Sequence, residues 1–361
     1  MTTYLLAGGG TAGHVNPLLA VADRLRERDA DATILVLGTK EGLESRLVPE
    51  RGFELLTIER LPFPRRPNRA AVGFPGRLRR AVDDVCAIIR DRQVDVVVGF
   101  GGYAAAPAYL AARRERVPLA IHEANARPGI ANRLGAMITT HVGVAFRGTK
   151  LRHATWVGQP LRREIEKLDR FAARLEGIRF FGLDAAKPTL LVTGGSSGAK
   201  RINDTIGSSI NSILGAGWQV LHVTGAFREE ATGDKVPGYF TLKYLDRMDL
   251  ALAVAGLALG RSGTSTVAEV AALGVPTVFV PYASGNGEQR LNAREAVAAG
   301  GAIVVSDADF TPQWVATSLI PLLRSRATIA DMAVRIATVG ARDGTDRMVA
   351  LVETALSSRS A

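Results

Sequence analysis

His14 stands directly after a glycine-rich turn, Gly8-Gly-Gly-Thr-Ala-Gly13, between a strand-like run and a helix-like run. A neutral imidazole at the mouth of a helix is able to take a proton from an incoming hydroxyl, and the positive end of the helix dipole favours that neutral form. The plainer alternative is that His14 caps or packs beside the turn. A second turn of the same kind, Gly194-Gly-Ser-Ser-Gly-Ala199, follows the apolar run Thr189–Thr193 past the middle of the 361-residue chain. In both, glycines let the backbone approach a ligand closely, and the following helix aims free N–H groups at it. Two such anion cradles imply two α/β domains facing a shared cleft.

Other polar groups gather at the carboxyl ends of expected strands, the edge where open α/β sheets bind ligands. Gly99-Phe-Gly-Gly-Tyr103 and His122-Glu-Ala-Asn125 lie there. Glu123 is either a base or charge partner, or a carboxylate paired with Arg127 or Arg133. Thr266-Val-Ala-Glu269 fits a capping box, in which Glu269 satisfies an end-of-helix N–H; its functional alternative is to accept hydrogen bonds from a ribose diol. The preceding Arg261-Ser-Gly-Thr-Ser265 is a small-residue turn suited to a phosphate. Gln289 and Asn292, three residues apart, share a helical face and are placed to read sugar hydroxyls.

Some chemistries are disfavoured. The first turn satisfies G-x-G-x-x-G, yet the strand Thr33–Leu37 ends in Gly38-Thr39-Lys40, with no acid at its tip for a ribose 2′-OH, which argues against a nicotinamide enzyme. Gly194 to Lys200 has the wrong spacing for a P-loop, so kinase or ATPase chemistry is not expected. No His/Cys cluster has metal-ligand spacing, and Asp307-Ala-Asp309 reads as a post-strand turn; neither a bound metal nor a cofactor is expected.

The elements that must position these groups alternate. Tyr4–Ala7, a helix over 15–28, Thr33–Leu37, a long interval, Val94–Gly99, a helix over 107–114, Leu119–His122 and Val142–Ala145 are followed by Thr189–Thr193, Gln219–Val223, Ala258–Leu259, Thr277–Val280 and Ala302–Val305. Strands alternating with helices imply parallel sheets. The expected organisation is a first domain over 1–157, a hinge over 158–163 punctuated by Gly158 and Pro160, a second domain over 164–340, and a C-terminal helix over 341–361 returning to the first domain. A final helical stretch is read from about Thr328 to Ser358.

A single cysteine, Cys86, excludes an intramolecular disulfide and suits a reducing compartment. No signal peptide is read at the N-terminus, and the longest uncharged stretch, 96–112, is broken by glycines and Pro107, so no span is expected. The net charge of +10 is uneven: 23 Lys and Arg stand against 15 Asp and Glu through residue 157, and 22 against 20 beyond it. Arg60–Arg80 holds seven arginines and no acid, with Leu61, Phe63, Val72, Phe74 and Leu78 between them. Cations beside apolar groups suit docking on an anionic leaflet, each basic residue contributing about 1 kcal/mol. The bland reading is a solvated, proline-broken loop with a basic helix. Nucleic acid is not expected, because aromatic interleaving and binding signatures are lacking.

In order, GGGTAGHVNP (Gly8–Pro17), GFGGYAAAP (Gly99–Pro107), HEANARPGIAN (His122–Asn132), GQPLR (Gly158–Arg162), GGSSGAKRIN (Gly194–Asn203), HVTG (His222–Gly225), YLDRM (Tyr244–Met248), RSGTSTVAEVAALGVP (Arg261–Pro276) and GEQRLNA (Gly287–Ala293) closely resemble the bacterial MurG-type glycosyltransferases. The resemblance implies a GT-B fold of two Rossmann-like domains with parallel sheets facing a central cleft. It implies inverting transfer of N-acetylglucosamine from UDP-GlcNAc to the muramic acid O4 of undecaprenyl-linked lipid I, giving lipid II. Carried over by position, uracil would lie beside Leu245 with Arg162 nearby, Glu269 on the ribose, Ser196, Ser262 and Thr266 around the diphosphate, and Gln289 and Asn292 on the sugar. Asn203 and Arg261 match further polar positions. The turn Gly10, Thr11, Gly13 and His14, with Tyr103, would hold the acceptor diphosphate. Glu123 and Asn125 would lie near the reacting carbons, Asn125 counted with the donor contacts. His14 is the choice of general base, with Glu123 the alternative. A family of this kind docks on the inner leaflet, which implies a peripheral protein on the cytoplasmic face and favours the membrane reading of Arg60–Arg80.

Three positions depart from the commonest pattern: Asn16 where an aromatic often stands, Ala124 where Gln does, and Glu288 where Gln often precedes Gln289. Ala124 removes a polar contact, and Glu288 adds negative charge near the sugar. The rival readings are another GT-B enzyme or an epimerase using the same nucleotide sugar, and a non-catalytic nucleotide-sugar-binding membrane module.

Overall fold

The computed structural model describes residues 1–64, 69–195, 198–225, 236–282 and 287–358, the side chains of 69–71 excepted. The chain divides into two compact units, Met1–Arg162 with Asp343–Ala361, and Arg163–Arg342.

In the first unit seven parallel strands, β1 Thr3–Ala7, β2 Thr33–Gly38, β3 Glu54–Thr57, β4 Val96–Gly99, β5 Leu119–Glu123, β6 His141–Val144 and β7 Ala154–Trp156, lie in the order β3-β2-β1-β4-β5-β6-β7. Every residue of β1, β4 and β5 is buried. Alternate side chains feed two apolar layers: Leu5, Leu35, Val97 and Ile121 on one face, and Tyr4, Leu6, Val36, Val98 and Ala120 on the other. The helix Gly344–Ser357 contributes Met348, Val349, Val352 and Ala355 to the second layer. Its Glu353 and Asp346 accept hydrogen bonds from Arg28 at 2.9 and 3.1 Å.

The second unit has β8 Thr189–Thr193, β9 Gln219–Val223, β10 Tyr239–Leu242, β11 Ala255–Gly260, β12 Thr277–Phe279 and β13 Ala302–Val304, all parallel, in the order β10-β9-β8-β11-β12-β13. Counted within each unit, the order 3-2-1-4-5-6 recurs. It reverses between β1 and β4 in one unit and between β8 and β11 in the other. The turns leaving those four strands therefore sit at the two switch points where such sheets take ligands.

The strands absent from the sequence reading, β3, β7 and β10, are short edge strands with half-exposed side chains, so no apolar run marks them. The expected helical stretch over 328–358 comprises two helices, Arg326–Ala337 and Gly344–Ser357. Between them the chain runs against other backbone: a Cβ on Gly340 would lie 2.3 Å from the Ala271 carbonyl oxygen, and one on Gly344 2.5 Å from that of Gln159. The second half of the basic segment belongs to one helix, Arg69–Asp91, with Pro75 inside it.

Candidate active site

The first glycine-rich turn runs from β1 into the helix Ala12–Arg28. It touches the turn that leaves β4: a Cβ on Gly102, where φ is +87°, would lie 2.4 Å from the Gly9 carbonyl oxygen. Only residues without side chains allow this approach. His14 is half-buried in the first turn of the helix, with Nδ1 3.2 Å from the Gly9 carbonyl oxygen and 3.4 Å from Thr11 Oγ1. A carbonyl oxygen only accepts, so Nδ1 carries a proton, which in the neutral ring leaves the lone pair on Nε2. Nε2 lies 3.2 Å from where a Cβ on Gly101 would stand, so that glycine leaves open the space beside the lone pair. Tyr103 is held by Arg60, whose guanidinium lies 4.6 Å from the ring centroid and donates to the phenol oxygen at 3.1 Å.

Two of the expected site residues have partners within the chain. The Gly10 amide, expected to face the acceptor's diphosphate, donates at 2.7 Å to Oε2 of Glu44, a fully buried carboxylate that the sequence reading missed. Glu123, offered as an alternative base, is 2% exposed, and its oxygens accept from the Asn125 and Gly129 amides and from Asn132 Nδ2 at 2.8, 2.9 and 2.9 Å. Asn132 also accepts from the Tyr109 hydroxyl at 2.7 Å. Glu123 therefore shapes the loop that carries Asn125, with both of its oxygens accepting from amide donors. His122 beside it is fully buried, with Nε2 donating to the Gly158 carbonyl at 3.0 Å; burial pulls its pKa down to about 4 and keeps it neutral.

In the second unit a cavity of about 990 Å³ opens where β8 and β11 end. Two helices begin on it, Lys200–Gly215 after the turn Gly194–Ala199 and Thr264–Ala272 after Arg261–Gly263. Two helix N-termini aimed at one space favour an anion there, and the volume is at the upper end of ligand pockets. The turn is compressed by design of its residues: a Cβ on Gly198, at φ +74°, would lie 2.4 Å from the Thr224 carbonyl oxygen. Thr266, Gln289 and Arg261 line the cavity. Gln289 accepts from the Tyr282 amide at 2.9 Å, and Arg261 is fixed by Asp307 at 2.5 Å and by the Val280 carbonyl at 3.0 Å.

Three donor candidates lie behind that surface. Ser262 and Asn292 are fully buried, and Asn292 Nδ2 donates to the Ser262 carbonyl and Thr264 Oγ1, each at 3.3 Å. Asn292 thus braces the Arg261–Gly263 turn. The capping-box reading fails because the helix starts three residues earlier, with Gly263 as its N-cap, which places Thr266 inside it. Glu269, one turn further, is 8% exposed. Leu245 is half-buried between β10 and the helix Met248–Val254, and Arg162 is the last residue of the first unit before the division. Ser196 lies outside the described residues, as do Arg65 and Arg66 of the basic segment. The sequence reading missed Arg201, Thr205 and Ser208, which line the cavity from one face of the helix Lys200–Gly215; their spacing of three and four was the available signal. Asn203 on that helix is buried and bonds His222 Nε2 at 3.0 Å.

Of the apolar residues in the basic segment, Leu61 and Phe74 are buried and Leu78 packs against the core, which corrects their expected exposure; Phe63 is 41% and Val72 84% exposed. Arg79 and Arg80 are exposed. No helix among the described residues is long and apolar enough to cross a membrane. No group of three or more His, Cys, Asp or Glu among them could hold a metal ion.

Residues 4–144 match the N-terminal domain, and residues 189–348 the C-terminal domain, of glycosyltransferase family 28. A protein of Leifsonia xyli subsp. xyli (strain CTCB07), named UDP-N-acetylglucosamine--N-acetylmuramyl-(pentapeptide) pyrophosphoryl-undecaprenol N-acetylglucosamine transferase, is 63% identical over 358 residues, 99% of this chain and 100% of that one. A protein of the same name from Streptomyces coelicolor (strain ATCC BAA-471 / A3(2) / M145) is 48% identical over 98% of each chain. Among solved structures, Acinetobacter baumannii MurG superposes with a TM-score of 0.79 at 27% identity, covering 98% of this chain and 100% of that one. A Neisseria meningitidis UDP-GlcNAc 2-epimerase bound to UDP-GlcNAc reaches 0.70 at 14% identity, over 98% and 100% of the two chains, a likeness of fold alone.

Proposed function

The chain belongs to glycosyltransferase family 28, and from that membership we infer that it transfers N-acetylglucosamine from UDP-GlcNAc to O4 of the muramic acid of lipid I, giving lipid II and UDP for peptidoglycan synthesis. The observation that carries the reading is the end-to-end match to the Leifsonia transferase at 63% identity. It is supported by the two switch-point sites, one presenting a basic nitrogen and the other a cavity for an anionic nucleotide.

Chemically, the acceptor O4 attacks the anomeric carbon as the bond from that carbon to the β-phosphate oxygen breaks with inversion. The O4 proton passes to His14 Nε2, and the electron pair leaves on UDP. The helix N-termini at Lys200 and Thr264 would stabilise the charge growing on the diphosphate, with Thr266 beside it and Gln289 on the sugar. Ser262, Glu269 and Asn292 would hold the wall behind those contacts, while Leu245 and Arg162 take the uracil. On the acceptor side Thr11, Gly13 and Tyr103 contact the lipid diphosphate. Asn125 lies near the reacting carbons, held by Glu123.

The same reading places the protein on the cytoplasmic face of the membrane, docked on the anionic leaflet through the first unit and serving cell-wall growth, shape and division. Val72, Phe63, Arg79 and Arg80 are the exposed residues that support it. Purified protein given radiolabelled UDP-GlcNAc and a lipid I analogue should transfer label, and His14→Ala should not, although it still binds UDP. UDP release without transfer by the parent would reject the lipid I assignment. Co-sedimentation with anionic vesicles, weakened by salt and by Val72→Glu, tests the docking.

A further inference from the structure

We propose that Glu44 is a positioning residue for the transfer, acting on His14 through the one peptide group that joins Gly9 to Gly10. The carboxylate accepts the N–H of that peptide at 2.7 Å, and the carbonyl of the same peptide accepts His14 Nδ1–H at 3.2 Å. The peptide is trans, so its donor and acceptor point in opposite directions and it lies between the carboxylate and the imidazole. An anion at the N–H end polarises the peptide and raises the electron density on the Gly9 oxygen. That strengthens the bond to Nδ1–H and keeps the lone pair on Nε2, beside the space left by Gly101.

The carboxylate has a built seat. A Cβ on Gly9, Gly38 or Gly42 would come within 2.3, 2.5 or 2.0 Å of Glu44 side-chain atoms, so glycines at the two strand ends and in the loop leading to Glu44 make its room. The amide and hydroxyl of Thr39 each donate to its other oxygen at 2.9 Å. A fully buried carboxylate is costly to house, and this one is aimed at the peptide that orients the proposed base. The arrangement does by way of a peptide what the aspartate of a Ser-His-Asp triad does directly, fixing tautomer and ring orientation.

The inference rests on His14 as base, and the test separates the two. In protein labelled with ¹⁵N-histidine, with His14→Ala used for assignment, neutral His14 should show the Nδ1–H tautomer. Glu44→Gln should lose that bias and lower kcat by about 10- to 100-fold, with KM for UDP-GlcNAc and the affinity for UDP unchanged. Thr39→Val, which leaves the Glu44–Gly10 bond in place, should keep both the tautomer and kcat. An Nε2–H tautomer in the parent overturns the proposal, as does a Glu44→Gln protein with parental tautomer and kcat, or a Thr39→Val protein as impaired as Glu44→Gln. Should Glu44→Gln not fold, the parent's tautomer and Thr39→Val decide. Full transfer by His14→Ala would remove the base reading itself; loss of transfer there beside a normal Glu44→Gln removes the Glu44 proposal alone.

Discussion

The two units repeat one strand order and place a glycine-rich turn at each switch point, yet the turns are used differently. In the first, an internal carboxylate, Glu44, occupies the Gly10 amide, and the chain places an imidazole next in line. In the second, the Gly195 amide is taken by the neighbouring Thr193 hydroxyl at 3.2 Å, and the turn opens on the 990 Å³ cavity with Arg261 and Lys200 on its lining. A turn that already holds an anion is poorly suited to bind a second at the same amide, whereas a cavity on which two helices begin is well suited to one. Shared topology therefore sets where each turn lies, and the side chains around it set whether its neighbourhood is filled from within the chain or opens on a cavity.

The sharpest way to break this contrast is to remove the base. His14→Ala should lower transfer by about 10²- to 10⁴-fold with UDP affinity intact, measured by label transfer beside calorimetry; equal loss of both would mean that the units are not functionally separable. Next comes a matched pair of glycine substitutions. Gly198→Ala puts a Cβ 2.4 Å from the Thr224 oxygen and Gly102→Ala puts one 2.4 Å from the Gly9 oxygen, both at positive φ. Each should cost at least 1–2 kcal/mol locally. UDP affinity should fall in Gly198→Ala alone, and transfer should fall in Gly102→Ala without loss of UDP binding. The opposite pattern would reverse the assignment of the two turns.

A smaller effect concerns pH. His122 in the folded first unit is held at about 4 against an ordinary 6.5, so the unfolded chain binds its proton first as pH falls. Stability from this residue is complete above about pH 6.5 and is lost progressively toward pH 4, amounting to ~3 kcal/mol. Denaturant titrations of the parent and of His122→Gln, which keeps a donor for Gly158, should differ in this slope; parallel curves would refute it. The smallest change is expected at Asp346, whose carboxyl is held below its usual range by hydrogen bonds from Arg24 and Arg28. Asp346→Asn should cost less than about 1 kcal/mol at neutral pH, because the pair is partly solvated, and nothing once pH falls through that carboxyl's folded value. A thermal melt resolves it.

Much of the plan was legible in the order of residues. Buried parallel strands are near-continuous apolar runs, so Thr189–Thr193 and Gln219–Val223 were read with the bounds observed. Glycine turns between a strand and a helix announce themselves, which is why both turns were located without coordinates. Edge strands such as Glu54–Thr57 bury too little to leave a pattern. Leu61 and Phe74 looked like part of a docking face, because sequence records that a residue is apolar and leaves open which way its element turns.

The sequence by itself determined the kind of fold and most of the residues around each turn, since periodicity and glycine placement act over a few positions at a time. Tertiary structure alone decided which candidates line the cavity and which are buried away from it. Glu44, in a charged stretch indistinguishable from a solvated helix, is buried because Gly9, Gly38 and Gly42 leave its space, and its bond to Gly10 spans 34 residues. Glu123 and Asn292 became braces for the same reason: buried polar atoms must find partners, and those partners are chosen by the packing of distant segments.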